Sequence, residues 1–116
     1  MSDQIAIDNE LQRISKAIQI ASNEYSDLCR DAAETRDEYE VAKAKSMLKA
    51  DSKLKVDQMK AQTLLTCESQ MRSAHIAEAK REAMKERLRS LQSVLNALQT
   101  RAGFLKAEMQ MAGRNF

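Results

Sequence analysis

The stretch IDNELQRISKAIQIASNEYSDLCRDA, residues 7–32, carries an apolar or small residue at Ile7, Leu11, Ile14, Ile18, Ala21, Tyr25, Leu28 and Ala32. The steps alternate four and three without a slip, which is a heptad seam on one side of a helix. Near the other end, MKERLRSLQSVLNALQTRAGFLKAEM, residues 84–109, repeats the pattern at Met84, Leu88, Leu91, Leu95, Leu98, Ala102, Leu105 and Met109. Two helices with matching stripes therefore lie at opposite ends of the chain.

Composition points the same way. The 116 residues include no proline, two glycines and four aromatic side chains, while 43% of the sequence is apolar and 31% charged. Gly-rich phosphate loops and β-hairpins need residues that reach positive φ. A dinucleotide-binding fold, a P-loop enzyme and an all-β domain are disfavoured on that ground. Alanine supplies 17 of the apolar residues, a helix former's choice that brings little bulk for a compact core.

Between the stripes, Lys49-Ala50-Asp51-Ser52-Lys53 is where the first helix should stop, with Asp51 or Ser52 able to cap the next one. A second, weaker break falls at Thr66-Cys67-Glu68-Ser69. The sequence thus predicts a single all-α domain over residues 1–116, with helices at about 4–49, 53–65 and 69–111. The long arms would fold into an antiparallel helical hairpin with a short central helix, setting Ile7 near Met109 and Ala32 near Met84. The same stripes could pair between chains instead. Ile5, Ile20, Val41, Leu48, Val94 and Phe104 fall off the stripe and call for cover, so a homo-oligomer joined through coiled-coil-like seams is expected.

No run approaches the ~20 apolar residues that span a bilayer, and the N-terminal residues lack a signal peptide's regions. A cytoplasmic protein is expected, in the bacterial host cytoplasm if phage-encoded, with no membrane partner. Cys29 and Cys67 lack metal-site or redox spacing, and His75 has no ligand or nucleophile near it in sequence. Neither a metal nor a cofactor is expected, and the chain does not read as an enzyme.

Charge is unevenly placed. Residues 1–42 carry a net −6, and residues 43–60 carry a net +4 from Lys43, Lys45, Lys49, Lys53, Lys55 and Lys60 against Asp51 and Asp57. Lys45, Lys49 and Lys53 are spaced by four, so a helix running on through the turn would align them as one cationic stripe. Multiplied in an oligomer, such a stripe could hold phosphates, with Tyr39 placed for base stacking. Lysine is also simply a soluble helix former. A second basic group, Lys80, Arg81, Lys85, Arg87 and Arg89, is interleaved with glutamates and reads as i,i+3 pairs Glu78/Arg81, Glu82/Lys85 and Glu86/Arg89. Arg30 is placed to offset the like-charged Glu34 and Glu38.

Two segments carry a resemblance. Tyr39-Glu40-Val41-Ala42-Lys43-Ala44-Lys45 and Leu91-x-x-Val94-Leu95-x-x-Leu98-x-x-Arg101-x-x-Phe104-Leu105, within residues 39–109, resemble the basic segment and the closing helix of the phage UvsY-like recombination mediator family. The resemblance implies an oligomeric helical protein that binds single-stranded DNA. It also implies contact with a strand-exchange recombinase and a single-strand-binding protein, and help for the first in replacing the second. It matches Lys43 and Lys45 to DNA-contact positions, whereas Lys49 and Lys53 join them by charge spacing. The alternatives are a coiled-coil scaffold without DNA affinity, and an adaptor or inhibitor that docks through its acidic first helix.

Overall fold

The computed structural model describes residues 2–50 and 52–114. Among these residues the chain forms α1 (Ser2–Lys49), α2 (Val56–Thr66) and α3 (Glu68–Arg114), with no strand. No described helix is long and apolar enough to cross a membrane.

α1 ends at Lys49, where the basic side chain meets the negative end of the helix dipole. α2 begins at Val56, three residues beyond the expected start at 53, and its N-cap is Lys55. Ser52 lies in the turn before that cap and does not take the capping position expected of it; Asp51, the other expected cap, lies outside the described residues. The Gln58 side-chain oxygen instead accepts the Lys55 backbone N–H at 3.2 Å. That is the return half of a capping box; a lysine ammonium has no lone pair with which to complete the other half. Asp57 in the first turn adds a favourable dipole contact.

The break between α2 and α3 is a single residue. Cys67 departs from helical geometry at φ −104° and ψ 15°. Its N–H still donates to the Thr63 carbonyl, and its own carbonyl accepts from Met71 N–H, both at 2.9 Å. The Thr66 hydroxyl caps no new helix; it donates back to the Gln62 carbonyl at 2.9 Å, a bond that competes with the helix ladder. Through backbone hydrogen bonding, α2 and α3 form one return arm.

Contacts group the chain into two units, one drawing on α1 up to Glu24 and on α3 from Met84, the other running from Tyr25 to Ala83. In the first unit, Ile7, Ile14 and Ala21 are buried, at seven-residue intervals along α1. The α3 stripe there, from Met84 through Leu88, Leu91, Leu95, Leu98, Ala102 and Leu105, is half-buried. In the second unit the buried residues are Ala32, Thr63, Cys67, Ala74 and Ala77, all small. Every buried α1 residue belongs to the stripe read from the sequence.

The second unit's register differs from expectation. The Tyr25 hydroxyl accepts a hydrogen bond from Arg81 Nη1 at 3.2 Å. Further along, Ala32, Arg36 and Tyr39 line one cleft with Ala74, His75 and Glu78, so Ala32 faces Ala74 rather than Met84. The expected register assumed a hairpin folded midway between equal arms, with the central helix as a separate piece. The chain reverses between the end of α1 at Lys49 and the start of α2 at Val56, and α2 belongs to the return arm, which moves the fold point toward the N-terminus.

Two predictions follow from this packing. Gly103 is a helical residue in α3 with nothing within 4 Å of where a Cβ would sit. Gly103→Ala should therefore raise stability in thermal or urea melts by about 0.5–1 kcal/mol; a loss would show that the position is closely covered. Cys67 is 2% exposed and Cys29 half-buried, and both thiols are free. A thiol reagent applied to native protein should label Cys29 first and reach Cys67 only as fast as the helices open.

Candidate nucleic-acid interface

The lysine-rich segment lies wholly in the second unit, across the end of α1, the turn and α2. The structure divides the expected cationic stripe. Because α1 stops at Lys49, Lys45 and Lys49 share a helix side, while Lys53 is exposed in the turn and leaves the stripe. Lys43 and Lys45, two residues apart, are separated by about 200° of helical rotation and serve different surfaces.

Lys43 is the more constrained of the two. Its ammonium sits 3.3 Å from Glu40, one turn back, and 5.0 Å from the centroid of the Tyr39 ring. The i,i+3 and i,i+4 spacings create both contacts locally, and the ring holds the cation over its face. Lys43, Tyr39 and Met47 form the α1 wall of an open cleft whose α2 wall is Lys60, Thr63 and Leu64. Lys60, which the spacing argument within one helix passed over, makes no ion pair among the described residues. A signal for it was available, since Lys43 and Lys60 lie at similar distances on either side of the turn.

Lys45 is exposed and lines a separate hollow with Asp37, Glu38, Val41, Ala42 and Gln70. Two carboxylates beside it weaken the local positive potential. Lys49 is exposed at the last turn of α1. Of the five sequence-expected residues, only Tyr39 and Lys43 line the same cleft; Lys45 and Lys49 share another side of α1, and Lys53 stands on the turn.

The second basic group behaves as a paired surface, with one change of partner. Arg81 binds Glu78 and also takes Glu82, at 2.6 Å, so Glu82 does not go to Lys85. The Arg81 side chain is only 23% exposed, and its fork reaches two carboxylates and the Tyr25 hydroxyl at once. Glu78 first, and then Tyr25, hold its guanidinium above the ordinary arginine pKa, so it remains charged throughout the folded range. Arg89 pairs with Glu86 at 3.0 Å. Arg30 turns back to Asp27 at 3.3 Å rather than forward to Glu34. Asp31, Glu34 and Glu38 are exposed along an acidic groove that also includes Leu28, Ile76 and Lys80. His75 is exposed, and no group of three or more His, Cys, Asp or Glu residues able to hold a metal occurs among the described residues.

Comparison with protein-family models, with curated proteins and with solved structures found no match.

Proposed function

We propose that this protein is a single-stranded-DNA-binding recombination mediator of the phage UvsY-like kind, which helps load a strand-exchange recombinase in phage recombination and replication. The observation that carries the reading is the concentration of lysine at the turn end of the second unit. Lys43 and Lys60 share a cleft with Tyr39, Lys45 and Lys49 lie on another side of α1, and Lys53 is on the turn between. Such a surface attracts phosphates from several directions, and its one nearby aromatic gives little means of reading bases. Binding of this kind grips the backbone and leaves bases accessible, which is what a recombinase needs from a strand it is about to occupy.

Oligomerisation completes the proposal. The off-stripe residues named from the sequence are all exposed, among them Leu48 at 87% and Phe104 at 69%. Scattered exposed apolar residues are ordinary, but so many along two long helices provide a side for further copies to cover. Packing through coiled-coil-like seams would multiply the lysine sets around one assembly. The recombinase and the single-strand-binding protein enter as partners through the resemblance of the two segments.

Anisotropy of a labelled single-stranded oligonucleotide should show binding that weakens steeply between about 50 and 200 mM salt and survives duplex competitor. Replacing Lys43 and Lys45 by alanine should weaken it and reduce the salt slope by about 0.7 per lost phosphate contact. No binding at micromolar protein would favour the scaffold or adaptor alternative, in which the lysines only keep the surface soluble. Sedimentation should give a homo-oligomer at micromolar concentration, and a monomer there would overturn the assembly proposed.

A further inference from the structure

Four threonines lie in the helices, at positions 35, 63, 66 and 100. Three behave alike: Thr35, Thr66 and Thr100 each donate their hydroxyl to the carbonyl four residues back, at 2.8, 2.9 and 3.0 Å. Thr63 is the exception. It is 4% exposed, and its hydroxyl oxygen is covered and has no hydrogen-bond partner among the described residues. A buried hydroxyl without a partner opposes folding, so its place calls for a reason. Thr63 lines the Tyr39, Lys43 and Lys60 cleft, whose other walls are Met47 and Leu64. Both of those are about half exposed.

We infer that the cleft between α1 and α2 is a phosphate site, in which Lys43 and Lys60 supply charge and the Thr63 hydroxyl supplies a directed hydrogen bond. The two ammonium groups come from facing helices, so an anion between them would tie α1 to α2 across the turn. A phosphate oxygen gives the Thr63 hydroxyl the acceptor it lacks, once Met47 or Leu64 moves. Glu40 competes for Lys43, but that pair is i,i+3 and solvent-exposed, the kind of contact that an incoming phosphate displaces at little cost. The Tyr39 ring beneath the Lys43 ammonium keeps the cation turned toward the cleft and makes the site visible, since the protein has two tyrosines and no tryptophan. The inference deepens the reading above and rests on it for the phosphate's source, which would be the strand's backbone; the same cleft would take free phosphate.

The test uses the full-length protein and inorganic phosphate, with chloride at matched ionic strength as reference. Phosphate should raise the melting temperature saturably and change the tyrosine emission, and the emission change should vanish in Tyr39→Phe. Thr63→Val keeps the branched shape and removes the hydroxyl. It should melt no lower than wild type without phosphate, yet bind phosphate about tenfold more weakly. Lys60→Gln should weaken phosphate by a similar factor with helicity unchanged. No saturable response in wild type, or wild-type phosphate affinity retained in both the Thr63 and Lys60 variants, would overturn the site. A second arm repeats the titrations with an oligothymidylate. If both variants lose oligonucleotide and phosphate affinity together, the bound phosphate is the strand's. If only phosphate affinity falls, the cleft stands as a free-phosphate site and the strand runs elsewhere. If wild type binds phosphate but no oligonucleotide, the mediator reading fails and the cleft survives it.

Discussion

Helices that pack in pairs bury one stripe each, and this limit governs the rest of the structure. With so little interior, each buried position has to set spacing as well as contribute apolar area. In the second unit the stripe is made of Ala32, Thr63, Cys67, Ala74 and Ala77. Such side chains let helix axes approach closely but bring little transfer energy apiece. They also interlock weakly, because neighbouring alanines look alike to a sliding partner. Register there needs a directional contact, and the hydrogen bond from Arg81 to Tyr25, spanning 56 residues of sequence, is of that kind. Glu78 and Glu82 hold the Arg81 fork in place, so one half-buried guanidinium fixes what the small residues leave free. The first unit is built differently. Ile7 and Ile14 are large enough to interlock by shape with an α3 stripe that is mostly leucine, and the arginines there whose burial is described, Arg13, Arg87, Arg89 and Arg101, are all exposed.

This contrast explains which parts of the fold were legible in the sequence. The stripe was readable because periodicity is a local property of one helix; Ile7, Ile14, Ala21 and Ala32 are buried where the four-three spacing put them. The end of α1 was readable from its polar cluster. Register was not, because it depends on where the chain reverses and on whether the second break interrupts the backbone ladder. Thr66 and Cys67 look like a helix boundary in sequence. In the structure the carbonyls of Thr63 and Cys67 carry the ladder across, and α2 becomes the first part of the return arm. The boundary is there, at Cys67, but the ladder crosses it, and the partner of Ala32 moves from Met84 to Ala74.

The candidate site was partly legible for a related reason. Counting lysines located the basic region, but Tyr39 was placed for base stacking, and the Lys43 ammonium found over its ring was not foreseen. Spacing within one helix could not supply Lys60 or Thr63, since their relation to Lys43 exists only after the chain has turned. It also overstated Lys53, whose place in a stripe required a helix that stops at Lys49. Placement on one helix was read correctly, and placement across the turn was not.

The lysine concentration has to be tolerated before it can be used. Like charges at this density repel, and the fold offsets them in ways that leave the ammonium groups accessible. Lys49 sits at the negative end of the α1 dipole, and Lys43 leans on the Tyr39 face and the Glu40 carboxylate. None of these partners encloses the cation: the Lys43 side chain remains 37% exposed and Glu40 more so. A fully buried partner would quench the charge, and an unpartnered cluster would weaken the turn. Intermediate pairing keeps the site charged and the helices intact. Further along the same unit, Asp31, Glu34 and Glu38 line a groove of opposite sign. A polyanion approaching this unit would thus be repelled from that groove and drawn toward the turn, so the binding proposed would take its orientation from the order of acidic and basic residues along α1.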